Sequence, residues 1–220
     1  MCKMTLAVLC AVGLALGLAG AAQASLITVS GASANTESDY GAMGALRTGD
    51  NTGMTDSASP HTVNFSTDPS KPTHGNTRFD HWETTGAPPA WLIVTFSSAE
   101  TVAEFAVWNN GYVIDRSTKD LYIYTSASAS GDTDWVKRDG IGTGGLWTFA
   151  QADGTATQPG ESFGLSTPWK DVRRVKFDIQ TNYGGGWVGL DEVRFYTPEP
   201  ATLALLGFGG LGMLLSRKRR

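Results

Sequence analysis

Three stretches of the chain set aromatic rings beside groups that hydrogen-bond or carry charge. The first holds His74, Arg78, Asp80, His81 and Trp82; the second Trp108, Asn109, Asn110, Tyr112 and Arg116; the third Asn182, Tyr183 and Trp187 around the glycines at 184–186. A flat ring beside fixed amide and guanidinium groups suits a ligand with one apolar face and a rim of hydroxyls, which describes a pyranose. Glycines in the third stretch let the backbone approach such a ligand closely. Arg78, Asp80, His81, Trp82, Trp108, Asn109, Arg116, Tyr183 and Trp187 are therefore the candidate ligand-binding residues. A tryptophan serves equally well as core. Trp91 and Trp135 are expected there, Trp147 suits either place, and His61 reads as an exposed loop residue.

Catalytic constellations do not stand out. There is no H-E-x-x-H and no G-x-S-x-G. Asp80 and His81 are adjacent, so in an extended segment they face opposite ways. With 21 Asp and Glu in the chain, a carboxylate pair for glycoside hydrolysis stays open as a lesser reading. The expectation is a protein that is not an enzyme.

Both cysteines, Cys2 and Cys10, lie in the first 24 residues, so the rest of the chain forms no disulfide and no thiolate site. Residues 25–196 hold 12 Lys and Arg against 20 Asp and Glu, a net charge of −8. Such a domain repels phosphate backbones and anionic lipid, which argues against nucleic-acid binding. Neutral sugars, or polymers bridged by a cation, suit it better.

The elements that must position these residues are strands. Segments rich in β-branched and aromatic residues recur between Gly, Asp and Pro clusters, and no long segment has a 3.6-residue apolar period. Strands are expected at 26–29, 91–96, 102–108, 119–125, 135–137, 172–180 and 187–196, with weaker ones at 146–149 and 162–165. Leu121, Ile123 and Thr125 share one face; Val175, Phe177 and Ile179 point inward while Arg174, Lys176 and Asp178 point outward. Val102, Phe105 and Val107 alternate irregularly. Residues 30–72 are long, polar and rich in small residues.

The two ends differ from this domain. Lys3, an apolar run at 5–21 and Ala22-Gln23-Ala24 read as a cleavable secretory signal, giving a division into a signal peptide at 1–24, a β-sandwich domain at 25–196 and a separate segment at 197–220. That last segment opens with Pro198-Glu199-Pro200, continues with a 15-residue uncharged apolar run at 201–215 and ends on Arg217, Lys218, Arg219 and Arg220. The run is short for a bilayer, which takes about 20 residues, and the basic cluster would hold its far end on the cytoplasmic side.

The order Pro-Glu-Pro, apolar stretch, basic end resembles the PEP-CTERM sorting signal of Gram-negative bacteria. The resemblance implies processing by an exosortase near Pro198, Glu199 and Pro200. It also implies transient anchoring in the inner membrane through 201–215, then residence at the cell surface or in the extracellular matrix.

Four segments in order resemble the discoidin, or galactose-binding-like, domain: 88–96, 102–108, 120–126 with Asp134-Trp135, and 172–177 with 189–195. The resemblance implies an all-β jelly-roll β-sandwich, here flanked by an N-terminal signal helix and a C-terminal hydrophobic helix, with binding loops at one end of the sandwich. It also implies a structural calcium ion, with Asp50 and Thr52 in the turn at 47–53 and Glu192 in the last strand as its oxygen ligands. Together these readings lead to an exported protein that binds carbohydrate, such as an exopolysaccharide of a biofilm matrix, without catalysis. A structural or adhesive surface protein that binds another protein is the alternative, and a secreted polysaccharide hydrolase the lesser one.

Overall fold

The computed structural model describes residues 25–35, 73–75, 81–140, 142–155 and 157–198. Segments 1–24 and 201–215, expected as signal and hydrophobic helices, lie outside the described residues. Among those described, no helix is long and apolar enough to cross a membrane.

Among the described residues, ten strands follow in order: β1 (Val29–Ala34), β2 (Thr73–Gly75), β3 (Trp82–Glu83), β4 (Ala90–Asn109), β5 (Asp120–Ser126), β6 (Val136–Arg138), β7 (Trp147–Thr148), β8 (Thr157–Pro159), β9 (Glu161–Ile179) and β10 (Gly189–Tyr196). Among the described residues, the short 3-10 turns Ile114–Arg116 and Thr143–Gly145 interrupt them. The strands lie within the unit Ser25–Pro198. Eight form one antiparallel sheet in the order β3-β10-β4-β9-β5-β6, with β1 beside β4 and β7 beside β5; β2 pairs with β8 separately.

Two strands far longer than average turn this sheet into a sandwich. β4 has 20 residues and β9 has 19. Their pairing is regular from Ala90↔Ile179 to Thr95↔Arg174 and again from Glu104↔Gly164 to Val107↔Glu161. Between Thr95 and Glu104 the register shifts three times. Bulges bend a strand and raise its twist, and they tolerate Pro168, which has no N–H for a ladder. The first half of β4 and the second half of β9 thus join β1, β5, β6 and β7 in one layer. Their other halves join β3 and β10 in a second.

This all-β jelly roll has its core between the layers. Leu92, Val94, Val175, Phe177, Leu121 and Ile123 come from the first layer and Phe105, Val107, Leu190, Val193 and Phe195 from the second. Phe177 meets Phe195 at 6.2 Å and Phe105 at 6.5 Å between ring centroids, and Phe96 meets Phe195 edge-on at 5.0 Å. The inward positions expected at 121, 123 and 125 and at 175, 177 and 179 are buried.

Other expectations are corrected. Segments 91–96 and 102–108 are one bent strand, as are 162–165 and 172–180. The first strand is Val29–Ala34, while Leu26 makes only an isolated bridge to Tyr196. Small residues at 30–34 suffice there because the pairing with Leu92–Phe96 runs through the backbone. The irregular spacing of Leu190, Val193 and Phe195 comes from a register shift between Leu190 and Glu192, which keeps all three on the core.

That shift leaves Glu192, Arg194 and Tyr196 on the outer side of β10, opposite Trp108, Ala106 and Glu104. Trp108 and Glu192 are fully buried there, and the Arg194 guanidinium lies 5.4 Å from the Trp108 ring centroid. Gly160 fits beneath that ring: a Cβ added to it would stand 2.6 Å from Trp108 Cε2. A rigid, buried ring has nowhere to move. Gly160→Ala is therefore expected to cost about 1–3 kcal/mol by overpacking. Urea unfolding reads it directly, and an unchanged midpoint would show that the ring yields.

Candidate functional site

One end of the sandwich gathers parts of all three sequence stretches. The turn after β4 carries Asn110 to Thr118, the segment leading into β3 carries His81, and the connection from β9 to β10 carries Asn182 to Val188. They meet because the connection is stitched to the turn: Ser117 bridges Gly189 and Thr118 bridges Asn182. Gly185 N donates to Asp115 O at 2.9 Å. A Cβ on Gly185 would lie 2.9 Å from that same backbone, so the approach requires glycine.

The end is built around a held guanidinium. Arg116 Nη1 donates to Glu83 Oε1 at 2.9 Å, and its Cζ lies 4.5 Å from the centroid of the half-buried Trp187 ring. Glu83 is buried, and Asn110 Nδ2 also donates to Oε1 at 3.4 Å. Asn110 Oδ1 in turn accepts from Val113 N at 3.0 Å. Fork, carboxylate and indole thus fix one another, which leaves further guanidinium N–H groups beside an aromatic surface. The rim adds Tyr112, 46% exposed, and Ile114, 41% exposed.

Beneath the rim, Asp191 sits at the β10 register shift. Bulges re-aim side chains next to sites, and here Asp191 Oδ2 accepts from Gly111 N at 3.1 Å while Oδ1 lies 4.0 Å from His81 Nδ1. His81 is buried and stacks on Tyr112 with centroids 6.3 Å apart. On the flank, burial pushes the Tyr183 phenol up, helped by Glu161 and Asp120, and burial likewise raises the Glu161 carboxyl against the pull of the Ala150 N–H.

The structure sorts the candidates. It brings His81, Arg116, Tyr183 and Trp187 to this end. Trp82 and Trp108 are 0% exposed, so neither presents a ring face to a ligand; Trp82 is core and Trp108 packs under Arg194. Trp147 is core as well. Asn109 is spent on the backbone. Its Nδ2 donates to Thr118 O at 2.6 Å and Ala150 O at 2.8 Å, and its Oδ1 accepts from Asn110 N and Thr118 N. It pins the turn and has no donor left for a sugar. Tyr183 gives its hydroxyl to Phe149 O at 2.7 Å and so anchors the connection. Trp91 and Trp135, expected in the core, are instead half-buried on an outer face. Arg78 and Asp80 lie outside the described residues, and His74 is placed only as part of β2. Glu83 and Asp191 were not singled out in the sequence. Nothing in Trp82-Glu83 or Leu190-Asp191 distinguishes a site carboxylate from a surface one.

Of the expected calcium ligands, Asp50 and Thr52 lie outside the described residues. Glu192 is a hard oxygen donor buried in β10, with Oε1 3.8 Å from Arg194 Nε, and its chemistry fits the ion. Among the described residues, no three of His, Cys, Asp and Glu come together to hold a metal.

Comparison with known proteins places the end of the chain first. The model of the PEP-CTERM protein-sorting motif matches residues 197–220. The chain carries a PEP-CTERM sorting motif. Of that motif, Thr197 and Pro198 are among the described residues, and Thr197 N donates to Ser25 O at 3.0 Å; Glu199 and Pro200 lie outside them. No curated protein matches the chain.

Solved structures share the fold. A variant of chitosan-binding module 1 from the chitosanase/glucanase of Paenibacillus sp. IK-5 is 14% identical, with a TM-score of 0.52, covering 79% of this chain and 99% of that one. The F5/8 type C domain of a Bacteroides fragilis protein is 18% identical, with a TM-score of 0.50, covering 80% and 97%. The family 32 carbohydrate-binding module of C. perfringens NanJ, solved with galactose, is 15% identical, with a TM-score of 0.47, covering 79% and 99%. The domain ahead of the sorting motif thus shares the jelly-roll fold of the chitosan-binding module and the F5/8 type C domain.

Proposed function

We propose that this chain is an exported, non-catalytic carbohydrate-binding protein, trimmed by an exosortase and kept at the cell surface or in the extracellular polysaccharide. The observation that carries the reading is the Arg116 guanidinium, held by Glu83 against the Trp187 ring at a rim that includes Tyr112 and Ile114. That end offers an apolar surface for a pyranose face and fixed donors for its hydroxyls. The Paenibacillus relative, a chitosan-binding module by name, has the same fold, and the ligand class is carried here on this chain's own geometry. Absence of catalysis is supported by how the two carboxylates are used: Glu83 serves Arg116 and Asn110, and Asp191 serves Gly111 N.

Retention on polysaccharide columns tests it. Trp187→Ala is expected to weaken binding about tenfold or more, as loss of an aromatic anchor does, with the far-UV spectrum unchanged. If the wild-type chain is retained on no polysaccharide, with or without calcium, the reading fails.

A calcium ion held by Glu192 with Asp50 and Thr52 is part of the same proposal. It would tie the segment around residue 50 to β10. With the ion in large excess over its dissociation constant, EGTA is expected to lower Tm by roughly 5–10 °C. An unchanged Tm, with no calcium heat in calorimetry, would remove the metal from the picture.

A further inference from the structure

The outer face of the first layer carries a second set of rings. Cross-strand register places Trp91, Asp178 and Tyr122 in one row and Ile93, Lys176, Tyr124 and Lys137 in the next. Partners in register point to the same side of a sheet, so Trp91, Tyr122 and Tyr124 share this face. Trp91 and Tyr122 stand two strands apart, about 10 Å, and Tyr124 follows Tyr122 by about 7 Å along β5. All three are half-buried. Lys176 Nζ lies 5.7 Å from the Trp91 ring centroid and Lys137 Nζ 4.1 Å from that of Tyr122. At the end of the face Trp135 stacks 4.6 Å from the Arg174 guanidinium.

Rings on β4 and β5, separated by the charged groups of β9, are a poor protein interface, whose core is depleted in charge. They suit a molecule that alternates apolar C–H faces with hydroxyls. Charge narrows the choice further. Arg174, Lys176 and Lys137 are interspersed with Asp134, Asp178, Asp120 and Asp139, so the face is of mixed sign and carries little net charge within a domain that is strongly acidic. A uronate polymer gains nothing there, and neither does a polyamine. We propose that this face is a second binding site, which takes an extended neutral polysaccharide chain across β4, β9 and β5. It rests on the reading of the chain as a carbohydrate-binding protein, and it makes the domain bivalent: the loop end grips one sugar unit while the platform lies along a strand. Two sites on one rigid body cross-link polysaccharide, or raise avidity for one long chain.

Native gels cast with hydroxyethylcellulose or galactomannan, run with the exported, processed protein, separate the two sites. The wild-type chain is expected to be retarded by at least one polymer. Trp91→Ala with Tyr122→Ala is expected to weaken that retardation about tenfold or more, and to remove most of what remains in a Trp187→Ala background. Should the double variant fold poorly, Tyr122→Thr keeps strand propensity and is expected to lose about threefold. A folded platform variant retarded like the wild type overturns the proposal, as does a wild-type chain that neither polymer retards. If Trp187→Ala behaves as wild type while the platform variant loses binding, the loop-end reading fails and this one stands.

Discussion

Arg116→Ala will destabilise the domain by about 3 kcal/mol, and Glu83→Gln in the same chain will recover most of that loss. The expectation follows from an unequal pair. The Arg116 side chain is partly open to water, whereas Glu83 is 1% exposed and accepts from Nη1 at 2.9 Å. Truncating the arginine leaves a carboxylate buried beside Asn110 with its charge uncompensated. Exposure of Arg116 keeps the cost at the low end of the range for broken buried pairs. The glutamine removes the charge, and its carbonyl still accepts from Asn110 Nδ2. Urea unfolding of the wild type, both single variants and the double variant gives the coupling energy. Additive losses would show that Glu83 does not depend on Arg116. The double variant also has a functional use: a stable chain without Arg116 reports what the guanidinium contributes to glycan retention, free of the stability effect that confounds the single variant.

Much of the scaffold was legible in the sequence because alternation reports which face a residue takes. Leu121-Tyr122-Ile123-Tyr124 and Val175-Lys176-Phe177-Asp178-Ile179 have one parity each, and the core takes the apolar one. Parity fails in Trp91-Leu92-Ile93-Val94, where both faces are apolar. Trp91 looked like core for that reason, yet it stands out of phase with Leu92 and Val94. The opposite error befell Trp82 and Trp108. Polar neighbours made them look like loop-end rings, but one belongs to a strand facing the core and the other lies beneath Arg194. The bends in β4 and β9 divided each into two expected strands, because small and polar residues such as Ser97 and Ser98 in β4 and Ser166 to Pro168 in β9 interrupt the apolar pattern, and only cross-strand pairing reveals that the chain carries on through them. Asn109 shows the limit most plainly. Its partners Thr118 and Ala150 lie 9 and 41 residues away, and no local pattern separates an amide that pins backbone from one that greets a ligand.

Arg174→Ala is expected to cost about 3 kcal/mol and to release the loop between β5 and β6. The sequence put Arg174 on the outward face of β9, and it does leave the core there, but it is only 6% exposed because that loop closes over it. Nε donates to Ser128 O at 2.8 Å, and Nη2 donates to Ser126 Oγ and to Gly131 O. Asp134 faces Nη2 at 3.8 Å, accepts from Ser126 Oγ at 2.6 Å and from Ser128 N at 3.0 Å. One fork therefore satisfies two carbonyls that a small, serine-rich loop cannot pair for itself. Arg174→Lys keeps the charge but has no planar fork, so it should recover little. Amide exchange is the direct measurement: protection at Ser128 should collapse in both variants while that of β9 persists, and retained protection at Ser128 would mean that the loop holds itself. Acid supplies an independent check. The Ser126 hydroxyl above all, then the Ser128 N–H and Arg174, holds the Asp134 carboxyl below its usual range. A carboxylate lowered in the folded state stabilises it above the ordinary pKa, and that stabilisation is lost as pH falls through the lowered value. Loop protection should accordingly fade in acid before the core unfolds. In Asp134→Asn, which has no proton to gain, the same fading should be absent.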